Sequence, residues 1–240
     1  MLVPTYNEIN NVQTLVAGLA DSGKLCADTD ITLVVIDDSS PDGTAAAVQA
    51  LAPLFASEFF RIRTIVKPTK NGLGAAYIYG FAQLAGENFD YFLQMDADLS
   101  HDPRYIPLFV EKAKAGIELV VASRYIPGGG TPDWGFNRRF LSRGGNIYAR
   151  TVLSSRITDW TGGFNMYSAA LLERITPATI TATGYGFMLA LKYRALKAAT
   201  SVAELPIVFL DRTHGSSKMP SNTLVRNFVL ALKLRTGWVK

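Results

Sequence analysis

The chain has 240 residues, 48% of them hydrophobic and 18% charged, with one cysteine, two histidines and a net charge of +4. That supplies a sizeable core for one α/β domain or two small ones, excludes an internal disulfide framework and argues against a structural zinc site, so any metal is expected on oxygen ligands. The positive balance suits an anionic partner (nucleic acid, a phospholipid surface or a phosphorylated small molecule), while no apolar run reaches the roughly 18 residues that span a bilayer and no secretory leader is visible.

In chain order, Pro4 is expected to close a first strand of only Met1-Leu2-Val3, short enough to raise a truncated start. Ile9, Val12, Leu15, Val16 and Leu19 recur at helical spacing, and Ile31 to Ile36 reads as a buried strand. Thr44 is the expected cap of a helix over Ala45 to Phe55. Arg61 to Val66 alternates as a strand, Leu73 to Leu84 returns to helix, and Tyr91 to Met95 is a strand. Tyr105 to Ala115 is a helix and Leu119 to Ala122 a strand, which completes the alternation of a nucleotide-binding α/β half with a mostly parallel sheet. The Gly- and Pro-rich run Ile126 to Trp134 is a loop. Helices are expected over Phe140 to Leu153, Leu171 to Ile175, Phe187 to Lys197 and Leu224 to Leu234, with a strand over Val202 to Leu210 and a basic loop from Asp211 to Pro220. No internal repeat or separating linker is visible.

Chemistry gathers at two acidic strand ends, Asp37-Asp38 and Asp96-Ala97-Asp98. Carboxylates set there, where open α/β sheets bind ligands, suit a divalent cation holding a phosphorylated substrate, Mg²⁺ or Mn²⁺ being the natural choice. The same residues also serve as strand stops and helix caps.

Pro4-Thr5-Tyr6-Asn7-Glu8, Asp37 through Thr44 and Asp96 through His101 together resemble the family 2 glycosyltransferases with the GT-A fold. Ser123-Arg124-Tyr125, Arg138 with Ser142, and Gly215 through Met219 look more narrowly like the dolichol-phosphate (polyprenol-phosphate) mannose synthases. The resemblance runs in order from about Val3 to Pro220. It implies one transferase domain over 1–240, with a nucleotide-binding half (1–125) and a half that takes the acceptor and closes on the donor (126–240). It further implies that Pro4, Tyr6, Glu8, Ile36 and Asp38 line the base and ribose pocket, and that Asp96, Asp98 and Ser100, with the Ala97 backbone, hold Mg²⁺ or Mn²⁺ on the diphosphate. Arg124, Arg138 and Ser142 would bind the acceptor phosphate; Arg124, Arg212 and Lys218 would meet the donor phosphates, and Asp98 and Arg124 would be catalytic. The implied reaction is inverting transfer of mannose from GDP-mannose to a polyprenyl phosphate.

The chain departs from this pattern at Met188 and Ala190, where the family places Gln and an acid, and at Asn165 and Ser100, where Arg and Gln are common. Those departures keep two alternatives in view: a UDP-hexose-dependent enzyme on the same lipid, and a degenerate nucleotide-sugar binding module. A nucleotidyltransferase fits less well for want of a Gly-rich N-terminal phosphate loop. A nucleic-acid partner is not expected, because the acidic strand ends would repel a polyanion. The arginines at 138, 139, 143 and 150 are interleaved with Phe136, Phe140, Leu141, Ile147 and Tyr148, and Leu224 to Trp238 is a second basic, apolar segment. Both suit peripheral contact with the cytoplasmic face of a membrane, directly or through an anchoring protein.

Overall fold

The computed structural model describes residues 1–26, 28–211 and 223–238, the side chains of Thr223 and Leu224 excepted. Fifteen strands and α-helices follow in chain order: β1 (Leu2–Thr5), α1 (Ile9–Lys24), β2 (Ile31–Asp37), α2 (Thr44–Phe55), β3 (Phe60–Val66), α3 (Leu73–Gln83), β4 (Tyr91–Gln94), α4 (Ile106–Lys114), β5 (Leu119–Ser123), α5 (Phe136–Val152), β6 (Asn165–Ser168), α6 (Ala169–Ile175), α7 (Tyr185–Ala198), β7 (Val202–Pro206) and α8 (Thr223–Thr236). The strands form one sheet in the order β3-β2-β1-β4-β6-β5-β7. Pairing is parallel except where β6 runs antiparallel between β4 and β5. This is the mostly parallel GT-A α/β architecture that the motifs imply.

Strand period places one core on each face of the sheet. Along β2, Ile31, Leu33 and Val35 pack with α1, α2 and α4 around Val12, Val48 and Phe109, while Val34 and Ile36 point into the other layer with α3, α6 and α7 around Tyr77, Leu171 and Phe187. With both faces covered, β2 is buried along its whole length, which is why it reads as a continuous apolar run.

Several boundaries differ from the sequence reading for physical reasons. β1 runs through Pro4 to Thr5. The carbonyls of Met1 and Thr5 bond to β2, whereas Leu2 bonds toward β4, so Pro4 points its missing N–H to the β4 side. There the ladder pairs only Leu2 with Gln94, and no bond is lost. Thr44 is not the cap of α2: it is the first helical residue, and Asp42 accepts from its N–H at 3.0 Å and its hydroxyl at 2.6 Å. α5 starts four residues earlier than expected, at Phe136. β7 stops at Pro206, beyond which Val208 makes only a single bridge to Gly130. β6 is an unforeseen strand.

Candidate active site

The C-terminal ends of β1, β2 and β4 lie side by side, and each is followed by a non-glycine residue in the left-handed region: Asn7 (φ 54°), Ser39 (φ 57°) and Leu99 (φ 64°). Such residues are uncommon outside glycine and persist where surrounding bonds hold them, as at ligand sites. The bonds are visible here. Asp37 accepts from Thr5 Oγ1 (3.0 Å), Ser40 N–H (2.8 Å) and Ser40 Oγ (2.6 Å), and Asn7 N–H donates to Ser40 Oγ at 3.0 Å, so the ends of β1 and β2 are tied together.

On the β1 end, Pro4, Tyr6 and Glu8 are partly exposed. Lys70 Nζ stands 3.4 Å from the centroid of the Tyr6 ring, and Asn11 Nδ2 donates to Glu8 Oε2 at 2.7 Å. Two members of the expected pocket are otherwise engaged. Ile36 is fully buried with its side chain against Gly80 of α3, where an added Cβ would come within 2.3 Å of Ile36 Cδ1, so only its backbone faces the strand ends. Asp38 is nearly buried, in an ion pair with Lys67 Nζ at 2.7 Å, and accepts from Gly72 N–H at 3.3 Å. It therefore fastens the segment between β3 and α3 to β2.

At the end of β4, Asp96 is partly exposed while Asp98 is nearly buried. Ser100 does not stand beside them as a third ligand. It is fully buried, and its N–H (3.2 Å) and hydroxyl (2.5 Å) both donate to Asp98 Oδ1, which fixes the carboxylate from behind. Ala97 turns its side chain into the core, leaving its backbone between the two acids. His101 is buried against Phe164 and accepts from Asp96 N–H on Nδ1 at 3.0 Å, so the neutral ring carries its proton on Nε2, 3.9 Å from Asp96 Oδ2. Burial holds this imidazole below its usual pKa against the pull of Asp96 and Asp98. Gly163 closes the same spot: a Cβ there would lie 3.5 Å from Asp96 Oδ2. Among the described residues no group of three or more His, Cys, Asp or Glu converges. Among the described residues the protein share of a metal shell would be Asp96 and Asp98, a hard oxygen pair that fits Mg²⁺ or Mn²⁺ completed by phosphate oxygens and water.

Behind the carboxylates runs a buried charge network that the sequence did not disclose. Arg124 donates through Nε to Asp159 Oδ2 at 2.7 Å and through Nη2 to Asp159 Oδ1 at 2.8 Å and Thr161 Oγ1 at 2.7 Å. The guanidinium expected on phosphate is thus turned to a carboxylate 35 residues away. Burial opposes the charge of Asp159, but Arg124 and Lys192 prevail and hold its pKa down to about 2. Burial lowers Lys192 to about 8; its ammonium donates to the carbonyls of Asp159 and Gly162, both at 2.9 Å. Asp159 also accepts from the N–H groups of Thr161 (3.2 Å) and Gly162 (2.9 Å), so the network fixes the loop that brings Gly163 to Asp96. The departures from the family pattern lie beside it. Asn165 donates to Gly162 O at 3.2 Å and pairs across the sheet with Gln94, whose amide nitrogen is 3.8 Å from Met188 Sδ.

The residues expected at the acceptor phosphate stand just beyond β5 and on α5. Tyr125 and Ser142 share a hydroxyl–hydroxyl bond of 2.6 Å. Trp134 lies between two guanidiniums, Arg138 at 4.0 Å and Arg124 at 5.3 Å from its ring centroid, and Arg138 is paired with Asp211 at 3.1 Å. Arg124 thus joins Asp159, whose loop carries Gly163 to Asp96, to Trp134 and through it to Arg138 of α5. Arg212 and Lys218 lie outside the described residues. Sequence reasoning missed Lys67, Asp159 and Lys192 as site residues. Only Lys192 left a signal, a lone cation within the apolar run Phe187 to Tyr193.

The profile of glycosyl transferase family 2 matches residues 1–176. Polyprenol monophosphomannose synthase of Mycolicibacterium smegmatis is 35% identical over 224 residues, 93% of this chain and 82% of that protein. Undecaprenyl-phosphate mannosyltransferase of Micrococcus luteus is 35% identical over 218 residues, 91% of this chain and 86% of that one. Among solved structures, glucosyl-3-phosphoglycerate synthase from Mycobacterium tuberculosis, in complex with Mn²⁺, UDP and phosphoglyceric acid, superposes with a TM-score of 0.67 at 21% identity, covering 98% of this chain and 77% of that one. A second structure of that enzyme, with Mg²⁺ and UDP, gives 0.65. The fold, the ordered motifs and the length of the match agree: the chain belongs to glycosyl transferase family 2.

Proposed function

We propose that the chain is an inverting transferase that moves mannose from GDP-mannose to a polyprenyl phosphate, acting as one domain over 1–240 and peripherally at the cytoplasmic face of a membrane. The observation that carries this is 35% identity, across more than nine-tenths of the chain, to two proteins named for mannosyl transfer to polyprenyl phosphates. The contacts of Arg124 with Asp159 and of Trp134 with Arg124 and Arg138 add support, since the reading needs the loop that carries Gly163 to Asp96 and the cations of α5 to belong to one network.

In this reading Pro4, Tyr6 and Glu8 frame the base, with Asp38 holding the pocket wall through Lys67. Asp96 and Asp98 would hold Mg²⁺ or Mn²⁺, which when bound neutralises charge growing on the departing nucleoside diphosphate. Ser100 and His101 fix the two carboxylates. Arg138, Ser142 and Tyr125 hold the acceptor phosphate, whose charge of roughly −1.5 to −2 at neutral pH makes its oxygen a nucleophile without a strong general base. That oxygen bonds to the sugar C1 as the C1–oxygen bond to the diphosphate breaks, and the electron pair leaves with GDP. Arg124 acts by positioning: it anchors the Asp159–Gly163 loop and adds positive potential at Asp96. Arg212 and Lys218 close on the donor phosphates. Catalysis is then alignment plus leaving-group stabilisation.

The test is transfer of radiolabel from GDP-mannose into an organic-extractable product, with and without Mn²⁺ and polyprenyl phosphate, beside a UDP-glucose control. Label is expected only with GDP-mannose, metal and lipid together. Label from UDP-glucose instead would favour the UDP-hexose alternative, and nucleotide binding without any transfer the binding module. In the same assay Arg138→Ala should raise the acceptor KM about tenfold or more, the scale of one lost charge-assisted phosphate bond, and leave the donor KM near wild type. The reverse split would mean that the two phosphate sites are exchanged.

A further inference from the structure

The segment between β3 and α3 is tied down at both ends and carries a lysine at its exposed middle. Lys67 N–H donates to Asp37 O at 2.7 Å, Ser39 Oγ donates to Lys67 O at 2.5 Å, and the Lys67 ammonium pairs with Asp38 at 2.7 Å. At the other end Gly72 N–H donates to Asp38 Oδ2 at 3.3 Å, from a left-handed conformation (φ 85°) that glycine adopts without strain. Residues 68–71 are exposed between these two anchors. Lys67 is buried and its charge is met by Asp38, whereas Lys70 forms no ion pair with a described residue. Its ammonium rests instead over Tyr6, 3.4 Å from the ring centroid.

Topology decides which part of a nucleotide Lys70 can meet. In the sheet order β3-β2-β1-β4, the acids that would hold a metal follow β4, whereas the segment carrying Lys70 follows β3 at the edge of the sheet. A diphosphate held on Asp96 and Asp98 lies on the β4 side of β1, and the base end of the same donor reaches Tyr6 and Lys70. The Tyr6 ring gives that base an aromatic face. An ammonium over an exposed ring is held weakly, so a stacking base displaces it, and the flexible four-carbon stem lets it turn to the edge of the base. An ammonium can only donate. It matches a base edge with adjacent acceptors, which guanine supplies at O6 and N7; uracil offers the single oxygen O4, and adenine sets an amine donor beside its N7. Glu8, partly exposed and held through Oε2 by Asn11 Nδ2 at 2.7 Å, brings an acceptor to the same opening for the N–H donors of guanine.

We propose that Lys70 is a specificity-determining residue of the donor site: it donates to the O6 and N7 edge of a guanine stacked on Tyr6, with the Glu8 carboxylate on the N–H donors, and so selects a guanosine diphosphate donor over a uridine one. This rests on the proposed GDP-linked donor and names the side chain that discriminates it.

The experiment is calorimetric titration of the full chain with GDP, UDP and 7-deaza-GDP, each with Mn²⁺, for wild type, Lys70→Met and Lys70→Arg, beside the KM for GDP-mannose in the transfer assay. Wild type should bind GDP about tenfold or more tightly than UDP. Lys70→Met should weaken GDP by about tenfold, raise the GDP-mannose KM in step, and change UDP by about twofold or less. Lys70→Arg should keep GDP binding near wild type, because a guanidinium makes the same two bonds. 7-Deaza-GDP, with carbon in place of N7, should bind wild type more weakly than GDP does and bind Lys70→Met as GDP does. Equal weakening of GDP and UDP by Lys70→Met would put the ammonium on ribose or phosphate and overturn the inference, as would GDP binding that this variant leaves unchanged. In either case a wild-type preference for GDP leaves the proposed function standing. A wild-type preference for UDP, or transfer from UDP-glucose rather than GDP-mannose, would overturn the donor and the role of Lys70 together.

Discussion

Replacing Asp98 with alanine is expected to lower mannosyl transfer by about a thousandfold, equivalent to roughly 4 kcal/mol of transition-state stabilisation. The residue is one of the two carboxylates of Asp96-Ala97-Asp98 just beyond β4, and Ser100 holds it from behind through two bonds to a single oxygen. Removing the carboxylate leaves the buried Ser100 hydroxyl without its acceptor, a cost of about 1–3 kcal/mol in stability, so the variant should remain folded by circular dichroism. Ser100→Ala separates orientation from ligation. If the hydroxyl only orients Asp98, that variant should lose about tenfold or less in transfer and keep its response to Mn²⁺. Wild-type-like transfer by Asp98→Ala would remove the metal assignment altogether.

The largest expected loss of stability comes from Asp159→Ala. Asp159 is fully buried and neutralises Arg124 while facing Lys192, so alanine would leave buried positive charge uncompensated and free the N–H groups of Thr161 and Gly162. Removing one partner of a buried pair costs about 3–5 kcal/mol, which denaturant unfolding would register as a lower midpoint. Activity should fall as well, because the loop carrying Gly163 against Asp96 loses its anchor. The same carboxylate predicts a pH dependence. Its folded pKa, about 2, lies below the roughly 3.9 of an unfolded aspartate. Its contribution is therefore fully present above about pH 4 and is lost as pH falls toward 2. Acid titration of stability should show that loss in wild type and a shallower one in Asp159→Asn; an unchanged slope would mean that Asp159 does not carry it.

The architecture was legible wherever one period dominated. β2 was a solid apolar run because both its faces are covered, and α1 showed its buried stripe because one face alone is. β6 was not legible: four residues, all buried, form an antiparallel insertion between β4 and β5, and nothing local in Asn165-Met166-Tyr167-Ser168 marks a strand. At the site, the motifs located the acidic strand ends and the α5 residues. What the side chains do there was set by partners far along the chain. Arg124 looked like a phosphate ligand until Asp159 was placed beside it, and Asp38 looked like a base contact until Lys67 was. Ile36 and Ser100 belonged to matched motifs, yet burial turns one into the core and the other onto Asp98. Spacing reports which residues share a loop or a face; it carries no information about a buried ion pair closed by folding.

The most direct test of the account is the nature of the bond made. Product formed from GDP-α-mannose labelled with ¹³C at C1 should show phosphorus coupling at C1 and a one-bond carbon–proton coupling of the β-anomer, as the proposed single displacement of GDP by an acceptor phosphate oxygen requires. An α-linked product would contradict the single displacement, and a C1 without phosphorus coupling would contradict the lipid phosphate as nucleophile.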